Sequence, residues 1–286
     1  MGSDITKVGV VGGGLMGSGI AEVCARASLD VVVVERTAEL AEGAHTRLNK
    51  SLDRAVRANK LPAEERDEVA ERVKFFDSLD PLADRDIVIE AVAENEKVKT
   101  EIFAELDRVV TRKDAVLASN TSSIPIMKLG MATKRPQQVV GVHFFNPVPV
   151  LKLVELVPSL LTGPETKDRA EAFVTEVLDK RAILCQDRAG FVVNALLVPY
   201  LLSAIRMMES GFASAADIDA GMVQGCAHPL GPLQLSDLIG LDTIMAIAES
   251  MYAEFKEPLY SPPPLLSRMV DAGVLGRKSG RGFYEY

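Results

Sequence analysis

Proton transfer near neutral pH is the usual business of imidazoles, and the 286 residues contain three: His45, His143 and His228. His45 lies in a strongly charged stretch, where a solvated helix surface accounts for it. His228 precedes Pro229 in a turn, and capping or packing is the plainer account there. His143 closes a valine-rich run, residues 139–144, that reads as a buried strand. Ligands of open α/β sheets bind beyond the carboxyl ends of the strands, so this placement makes His143 the candidate general base. Twelve residues on, after Asn146-Pro147-Val148-Pro149, Glu155 stands within Leu153-Val154-Glu155-Leu156-Val157. A carboxylate inside an apolar strand is costly unless paired. Pairing with one ring nitrogen of His143 would fix the tautomer and raise the basicity of the other. Taken in isolation, an outward-facing strand position explains Glu155 equally well.

A second cluster suits a phosphate-bearing ligand. Residues 12–17 read Gly-Gly-Gly-Leu-Met-Gly, a G-x-G-x-x-G pattern placed between a first strand and an amphipathic helix, the context the pattern needs. Gly12 permits the tight turn, Gly14 lets the backbone approach a pyrophosphate, and Gly17 lets helix and strand pack closely. The amides of Leu15 and Met16 then face the phosphates at a helix N-terminus. Glu35 ends the next strand, where a carboxylate binds a ribose 2′-hydroxyl and repels a 2′-phosphate. That favours NAD over NADP; Arg36, beside it, could accommodate the phosphate and pulls the other way.

Two further polar sites stand out. Residues 119–123, Ser-Asn-Thr-Ser-Ser, follow the fifth strand at another carboxyl end; an N-cap or turn would use the same residue types. Asn194 enters an otherwise apolar helix and is expected to have a specific partner.

The elements that must position these groups alternate. Strands are expected over 7–11, 31–35, 73–76, 86–91, 115–119 and 139–144, with helices between them, notably 15–27, 38–58 and 96–110. The four consecutive valines at 31–34 suit a parallel strand covered on both faces. Strand–helix–strand order with short connections predicts a Rossmann-type, doubly wound, mainly parallel sheet. After about Arg188 the texture changes. Helices are expected over 192–208 (interrupted by Pro199), 215–223, 232–239, 241–255 and 265–272, and no strand. The expected division is an α/β nucleotide-binding domain over 1–189 and a smaller all-helical domain over 190–286, with no internal repeat.

Composition narrows the function classes. Apolar residues make up 48% and charged residues 25%, an ordinary globular balance. Aromatics are 5% with no Trp, so the core is aliphatic. A net charge of −8 argues against nucleic acid or an anionic membrane as partner. Cys24, Cys185 and Cys226 form no CxxC pair, so neither a zinc site nor a disulfide framework is indicated, and three buried thiols are expected. No apolar run approaches the roughly 18 residues of a spanning helix. The opening Met1-Gly2-Ser3-Asp4 leaves no room for a signal peptide before the first strand, which points to the cytoplasm.

Taken in order, residues 12–17, 119–123, His143-Phe144-Phe145-Asn146-Pro147, 152–155, 190–194, His228-Pro229-Leu230-Gly231-Pro232 and the closing Gly280-Arg281-Gly282-Phe283-Tyr284 resemble the L-3-hydroxyacyl-CoA dehydrogenases. The likeness is greatest to the bacterial 3-hydroxybutyryl-CoA branch and covers essentially the whole chain. The resemblance implies NAD-linked interconversion of a 3-hydroxyl and a 3-keto group on an acyl-CoA. It assigns His143 as base, Glu155 as its orienting partner, and Ser122 and Asn194 as substrate contacts. It places Glu94, Lys99, Ser122, Asn146 and Lys278 near the NAD. It further implies a homodimer formed through the helical domain and an active site in the cleft between domains.

Coenzyme A can be checked against the residues themselves. Arg47, Lys50, Arg54 and Arg57 are spaced to share one helical face, opposite Leu48, Leu52, Ala55 and Val56. In an acidic protein such a stripe suits the phosphates of the coenzyme, although a solvated face is the simpler alternative. The family contacts CoA here through a serine and a lysine. Ser51 matches the serine, Ala58 stands at the lysine position, and Arg54, Arg57 and Lys60 are the neighbouring cations. Two competing readings are a sugar-acid dehydrogenase of the same superfamily, acting without CoA, and a non-catalytic NAD-binding structural protein. The stripe speaks against the first; a base with its orienter speaks against the second.

Overall fold

The computed structural model describes residues 4–286; the expectation resting on Met1-Gly2-Ser3 lies outside the described residues. The chain divides into two compact units, one ending at Asp187 and the other spanning Arg188–Tyr286.

The first unit contains eight strands: β1 (Lys7–Val11), β2 (Asp30–Val34), β3 (Val73–Phe76), β4 (Ile87–Glu90), β5 (Val116–Ser119), β6 (Val139–Phe144), β7 (Leu153–Pro158) and β8 (Arg181–Leu184). They form one sheet in the order β3-β2-β1-β4-β5-β6-β7-β8. Strands β1 to β6 are parallel; β7 runs antiparallel to β6, and β8 parallel to β7. Every residue of β4, β5 and β6 is buried, because helices cover both faces and the runs need no polar alternation. The strand order reverses between β1 and β4, which opens a crevice at the carboxyl ends of the strands.

The connecting helices are α1 (Leu15–Arg26), α2 (Ala38–Arg57), α3 (Arg66–Glu71), α4 (Glu96–Val109), α5 (Ile126–Met131) and α6 (Pro164–Ala172). Thr37 caps α2 and Asn95 caps α4, each side-chain oxygen accepting an amide of the first turn. Helix α2 buries Ala41, Ala44, Leu48, Leu52 and Ala55, the stripe that faces the sheet. The expected strands and long helices are present to within a residue or two at their ends. Helices α3, α5 and α6 and strand β8 were not expected.

The second unit is helical: α7 (Val193–Glu209), α8 (Ala215–Cys226), α9 (Pro232–Ile239), α10 (Leu241–Phe255) and α11 (Pro264–Asp271), with no strand longer than an isolated bridge among the described residues. Helix α7 runs through Pro199 where an interruption was expected. Val198, Pro199, Leu201 and Leu202 are all buried in the unit's core, and that packing offsets the lost backbone bond. Two buried aspartates hold the C-terminal tail. Asp237 accepts the amides of Phe283 and Tyr284, and Asp219 accepts the amides of Leu233 and Gln234 and the Tyr284 hydroxyl. The three thiols differ from the expectation of uniform burial: Cys24 is buried, Cys185 half-buried, and Cys226, at the end of α8, exposed. Cys24 lies on the sheet-facing side of α1 and its thiol is pushed up by burial to about 12.

Candidate active site

Strand direction brings the central pair together. Because β7 is antiparallel to β6, its amino end lies beside the carboxyl end of β6, and the register sets His143 directly opposite Glu155. Their side chains share a face of the sheet, and His143 Nδ1 is 2.7 Å from Glu155 Oε2. Glu155 is fully buried and His143 is 6% exposed, so the carboxylate meets the ring away from bulk water. An acceptor at this position keeps the ring proton on Nδ1 and leaves the Nε2 lone pair for a ligand. The Phe145 ring packs against the imidazole at 4.7 Å between centroids. The turn that follows, through Asn146, is held from behind by Lys180, whose Nζ donates to the carbonyls of Val148 and Leu151 at 2.8 and 2.7 Å. Burial first, then Lys152, depresses the Lys180 ammonium below its ordinary value.

Residues 119–123 sit at the adjacent carboxyl end and turn around Glu94. Oε1 of Glu94 accepts the Thr121 hydroxyl at 2.6 Å, the Ser122 amide at 2.9 Å and the Ser122 hydroxyl at 3.3 Å, and both amide and hydroxyl of Ser123 at 3.2 Å. Burial pushes the Glu94 carboxyl up; Lys99, the Thr121 hydroxyl and the Ser122 amide outweigh it, and the net direction is down. Asn120 Oδ1 accepts the Phe144 amide at 2.8 Å and so ties this turn to the residue after His143.

Lys99, expected near the NAD, stands beside Glu94. It is 1% exposed, and its ammonium is enclosed by Glu90 at 2.6 Å and Glu94 at 3.3 Å. Glu90, the last residue of β4 and fully buried, also accepts the Ser119 hydroxyl at 2.6 Å and the Val92 amide at 2.7 Å. Sequence reasoning missed Glu90. The signal was the one used for Glu155, a carboxylate in an apolar strand that must have a partner.

The glycine loop can receive a dinucleotide. Gly12 has φ +93°, and a side chain there would strike the Ala91 carbonyl. A Cβ at Gly17 would overlap the Gly12 carbonyl oxygen, so only glycine lets α1 close on β1. A Cβ at Gly14 would meet nothing within 4 Å, which leaves the open approach a pyrophosphate requires. Leu15 is 66% exposed and Met16 half-buried at the start of α1. Glu35 lies just beyond β2, its Oε1 accepting the Gly13 amide at 2.7 Å. The residues present therefore fit the group that the pattern calls for.

On α2, Lys50, Arg54, Arg57 and, just beyond it, Lys60 are exposed and have no ion-pair or hydrogen-bond partner among the described residues, while Ser51 is half-buried between them. Arg47 leaves the expected stripe: its Nε donates to the Gly13 carbonyl at 3.1 Å, because the guanidinium reaches forward to the glycine loop. In the helical unit, Asn194 is half-buried in the first turn of α7, and the partner expected for it is not found among the described residues. Lys278 is exposed and pairs with Asp242. His45 is exposed beside Glu42, and His228 meets the Tyr200 hydroxyl at 3.2 Å, in keeping with surface and packing roles. No cluster suited to a metal ion occurs among the described residues, and no helix among them is long and apolar enough to cross a membrane.

Known proteins match the chain along its length. Residues 7–188 match the family model described as 3-hydroxyacyl-CoA dehydrogenase, NAD binding domain, and residues 190–286 the corresponding C-terminal domain. A 3-hydroxybutyryl-CoA dehydrogenase of Mycobacterium tuberculosis is 61% identical over 286 residues, covering 100% of both chains. The crystal structure of M. tuberculosis FadB2 superimposes with a TM-score of 0.98 at 62% identity, covering 99% of each chain. That of (S)-3-hydroxybutyryl-CoA dehydrogenase from Ralstonia eutropha gives 0.93 at 44% identity, again over 99% of each.

Proposed function

The chain belongs to the 3-hydroxyacyl-CoA dehydrogenase family, and from that premise we propose that it interconverts (S)-3-hydroxybutyryl-CoA and acetoacetyl-CoA with NAD(H). The observation that carries the reading is the buried His143–Glu155 pair at the carboxyl edge of the sheet. Cofactor binding alone needs no base and no orienter; oxidation of an alcohol needs both. The nicotinamide, when bound, supplies or accepts the hydride. His143 Nε2 takes the proton of the 3-hydroxyl in the oxidative direction and returns it in the reductive one. Glu155 holds the ring and stabilises the imidazolium formed between those events. Ser122, fixed through Glu94, hydrogen-bonds the substrate oxygen, and Asn194 is proposed as a second substrate contact.

Gly12, Gly14, Leu15, Met16 and Gly17 would hold the pyrophosphate and Glu35 the adenosine ribose, with Glu94, Lys99, Ser122, Asn146 and Lys278 toward the nicotinamide end. NAD is preferred to NADP because the Glu35 carboxylate opposes a 2′-phosphate. The four unpartnered cations Lys50, Arg54, Arg57 and Lys60, around Ser51, would bind the phosphates of coenzyme A. That stripe favours a CoA thioester over a free sugar acid. Large apolar side chains exposed on the helical unit, Leu196 at 75% and Phe212 at 79%, support a homodimer formed there.

The test is the fall of NADH absorbance on mixing with acetoacetyl-CoA. Turnover that is lost when the thioester is replaced by free acetoacetate is the expected result. No turnover would favour a structural NAD-binding role.

A further inference from the structure

The buried acid that ends β4 holds more than the lysine beside it. Glu90 is fully buried, and its two oxygens are committed to different parts of the site. Oε1 accepts Lys99 Nζ at 2.6 Å and the Val92 amide at 2.7 Å. Oε2 accepts the Ser119 hydroxyl at 2.6 Å, and Ser119 Oγ in turn accepts the Thr121 amide at 3.1 Å. The Glu90 carbonyl takes the Asn120 amide at 2.8 Å. One residue thus grips the root of the turn over 119–123 by backbone and by side chain. The same ammonium also meets Glu94, whose Oε2 is 3.3 Å from Lys99 Nζ. Oε1 of Glu94 is the atom that gathers the Thr121 and Ser123 hydroxyls and both the amide and the hydroxyl of Ser122.

Two carboxylates therefore share one buried ammonium at unequal distances, the nearer fully buried and the farther 32% exposed. Charges attract strongly through a poorly screened interior, so Lys99 deprived of its nearer partner would close on Glu94. The Glu94 carboxylate would turn toward it, and the turn that Glu94 organises would follow. Ser122 Oγ, at 3.3 Å from Glu94 Oε1, makes the longest of those bonds and has the least to hold it in place. We propose that Glu90 is a positioning residue for the reaction: it draws Lys99 to itself, leaves Glu94 to the turn, and so aims the Ser122 hydroxyl at the substrate oxygen. The proposal rests on the dehydrogenase reading, in which Ser122 touches the substrate, and assigns Glu90 an effect only through that contact.

A double-mutant cycle in kcat for acetoacetyl-CoA reduction at saturating NADH tests this, built from Glu90→Gln, Ser122→Ala and the two combined. Glu90→Gln keeps the size of the side chain and an oxygen for the Val92 amide while removing the charge. It should lower kcat by about tenfold or more, short of the hundredfold that a misplacement of about 1 Å can cost. Ser122→Ala should lower kcat by itself. The double variant should fall no more than about twofold below Ser122→Ala, because the hydroxyl that Glu90 positions is already gone. Affinity for NADH, read by fluorescence titration, should stay within about threefold of wild type. Losses that multiply in the double variant would overturn the proposal and make Glu90 a general support of the sheet. Unchanged kcat in Glu90→Gln would overturn it, as would unchanged kcat in Ser122→Ala. A loss carried by NADH affinity, with kcat at saturation retained, would overturn it and place Glu90 with the dinucleotide. If Glu90→Gln does not fold, Ser119→Ala enters the same cycle, since it cuts the Oε2 arm and leaves the charges of Glu90, Lys99 and Glu94 in place. Its kcat should fall by about threefold or more, the scale of one hydrogen bond, with no further loss in the Ser122→Ala background; multiplying losses would again overturn the proposal. Wild type that turns over no acetoacetyl-CoA would sink the dehydrogenase reading itself, whereas a failed cycle in an active enzyme sinks only the role of Glu90.

Discussion

His143 and Glu155 occupy directly paired positions on antiparallel strands β6 and β7, with Nδ1 2.7 Å from Oε2 and both side chains inside the protein. Paired residues on antiparallel strands have Cβ atoms about 4.5–5.5 Å apart, so the contact follows from the ladder itself and needs no loop to arrange it. The antiparallel turn after a run of parallel strands is what puts an acid behind a base that already sits at the ligand-binding edge. Rotation of the ring is restrained on its other side by Phe145.

Replacing His143 by alanine should lower kcat for acetoacetyl-CoA reduction by about 10²–10⁴-fold, the usual worth of a general acid–base. NADH affinity, read by fluorescence titration, should stay near the wild-type value, because the glycine loop and Glu35 lie on other strands. Turnover within a few-fold of wild type would remove His143 from the mechanism.

Glu155→Gln keeps the shape and removes the charge. The amide can present either its oxygen or its nitrogen to Nδ1, so the tautomer is no longer fixed. The loss in kcat should be smaller than that of His143→Ala, and the pH–rate profile should move toward lower pH, because the imidazolium loses the charge that stabilises it. A profile that superimposes on the wild type would show that the carboxylate neither orients the ring nor raises its basicity.

Glu94 gives a prediction in stability. Its carboxyl is held below the ordinary range by Lys99, Thr121 and Ser122 against the opposing effect of burial. A depressed folded value means that stabilisation is fully present above the unfolded value of about 4.3, and is lost as pH falls through the folded value. Glu94→Gln should therefore be less stable than wild type at neutral pH, by about 1 kcal/mol after allowing for screening of a side chain 32% exposed. The gap, measured by urea unfolding, should close as pH falls below about 4.3. Lys99 keeps Glu90 as its partner, so the variant should still fold. A gap constant across that range would mean that the charge of Glu94 is irrelevant to the turn it organises.

The sequence carries the sheet more openly than the site. Strands β1, β2 and β4 to β6 are written as mostly apolar runs because both faces are covered. Strand β8 is a short Arg-Ala-Ile-Leu stretch at the sheet edge with no fully buried residue, and α6 is mostly polar, so neither has a periodicity to read. The His143–Glu155 pair was legible because the acid interrupts an apolar strand. Glu90 interrupts one in the same way, yet its partner Lys99 lies on a helix whose charged face gives no hint that one lysine turns inward. The bonds from Glu94 to the turn over 121–123 and from Arg47 to Gly13 span roughly thirty residues or more each, and follow from tertiary packing that no local spacing encodes.

The glycine loop separates folding from binding within a few residues. Gly17→Ala drives a methyl into the Gly12 carbonyl and against Val10, backbone and core that cannot move aside. It should cost about 1–3 kcal/mol or more in thermal or urea unfolding. Gly14→Ala places its methyl in open space, and stability should fall by no more than about 1 kcal/mol, the cost of alanine at an N-cap. Its dinucleotide affinity should nonetheless fall by about tenfold or more, because the methyl occupies the approach of the pyrophosphate. Retained NADH binding in Gly14→Ala would show that the phosphates do not lie against this loop.

Arg54 and Arg57 project from α2 without partners, so changing them should disturb little within the fold. Reversing both to glutamate turns two attractions for phosphate into repulsions. The KM for acetoacetyl-CoA should rise about tenfold at low ionic strength, with the effect shrinking as salt approaches about 1 M and the screening length contracts. A short pantetheine thioester, which lacks the nucleotide phosphates, should be turned over as well as by the wild type. The comparison isolates the coenzyme end of the substrate, since both thioesters present the same keto group to His143. Equal rises in KM for the two thioesters would mean that the double reversal acts by disturbing the domain, and would remove the stripe from the substrate site.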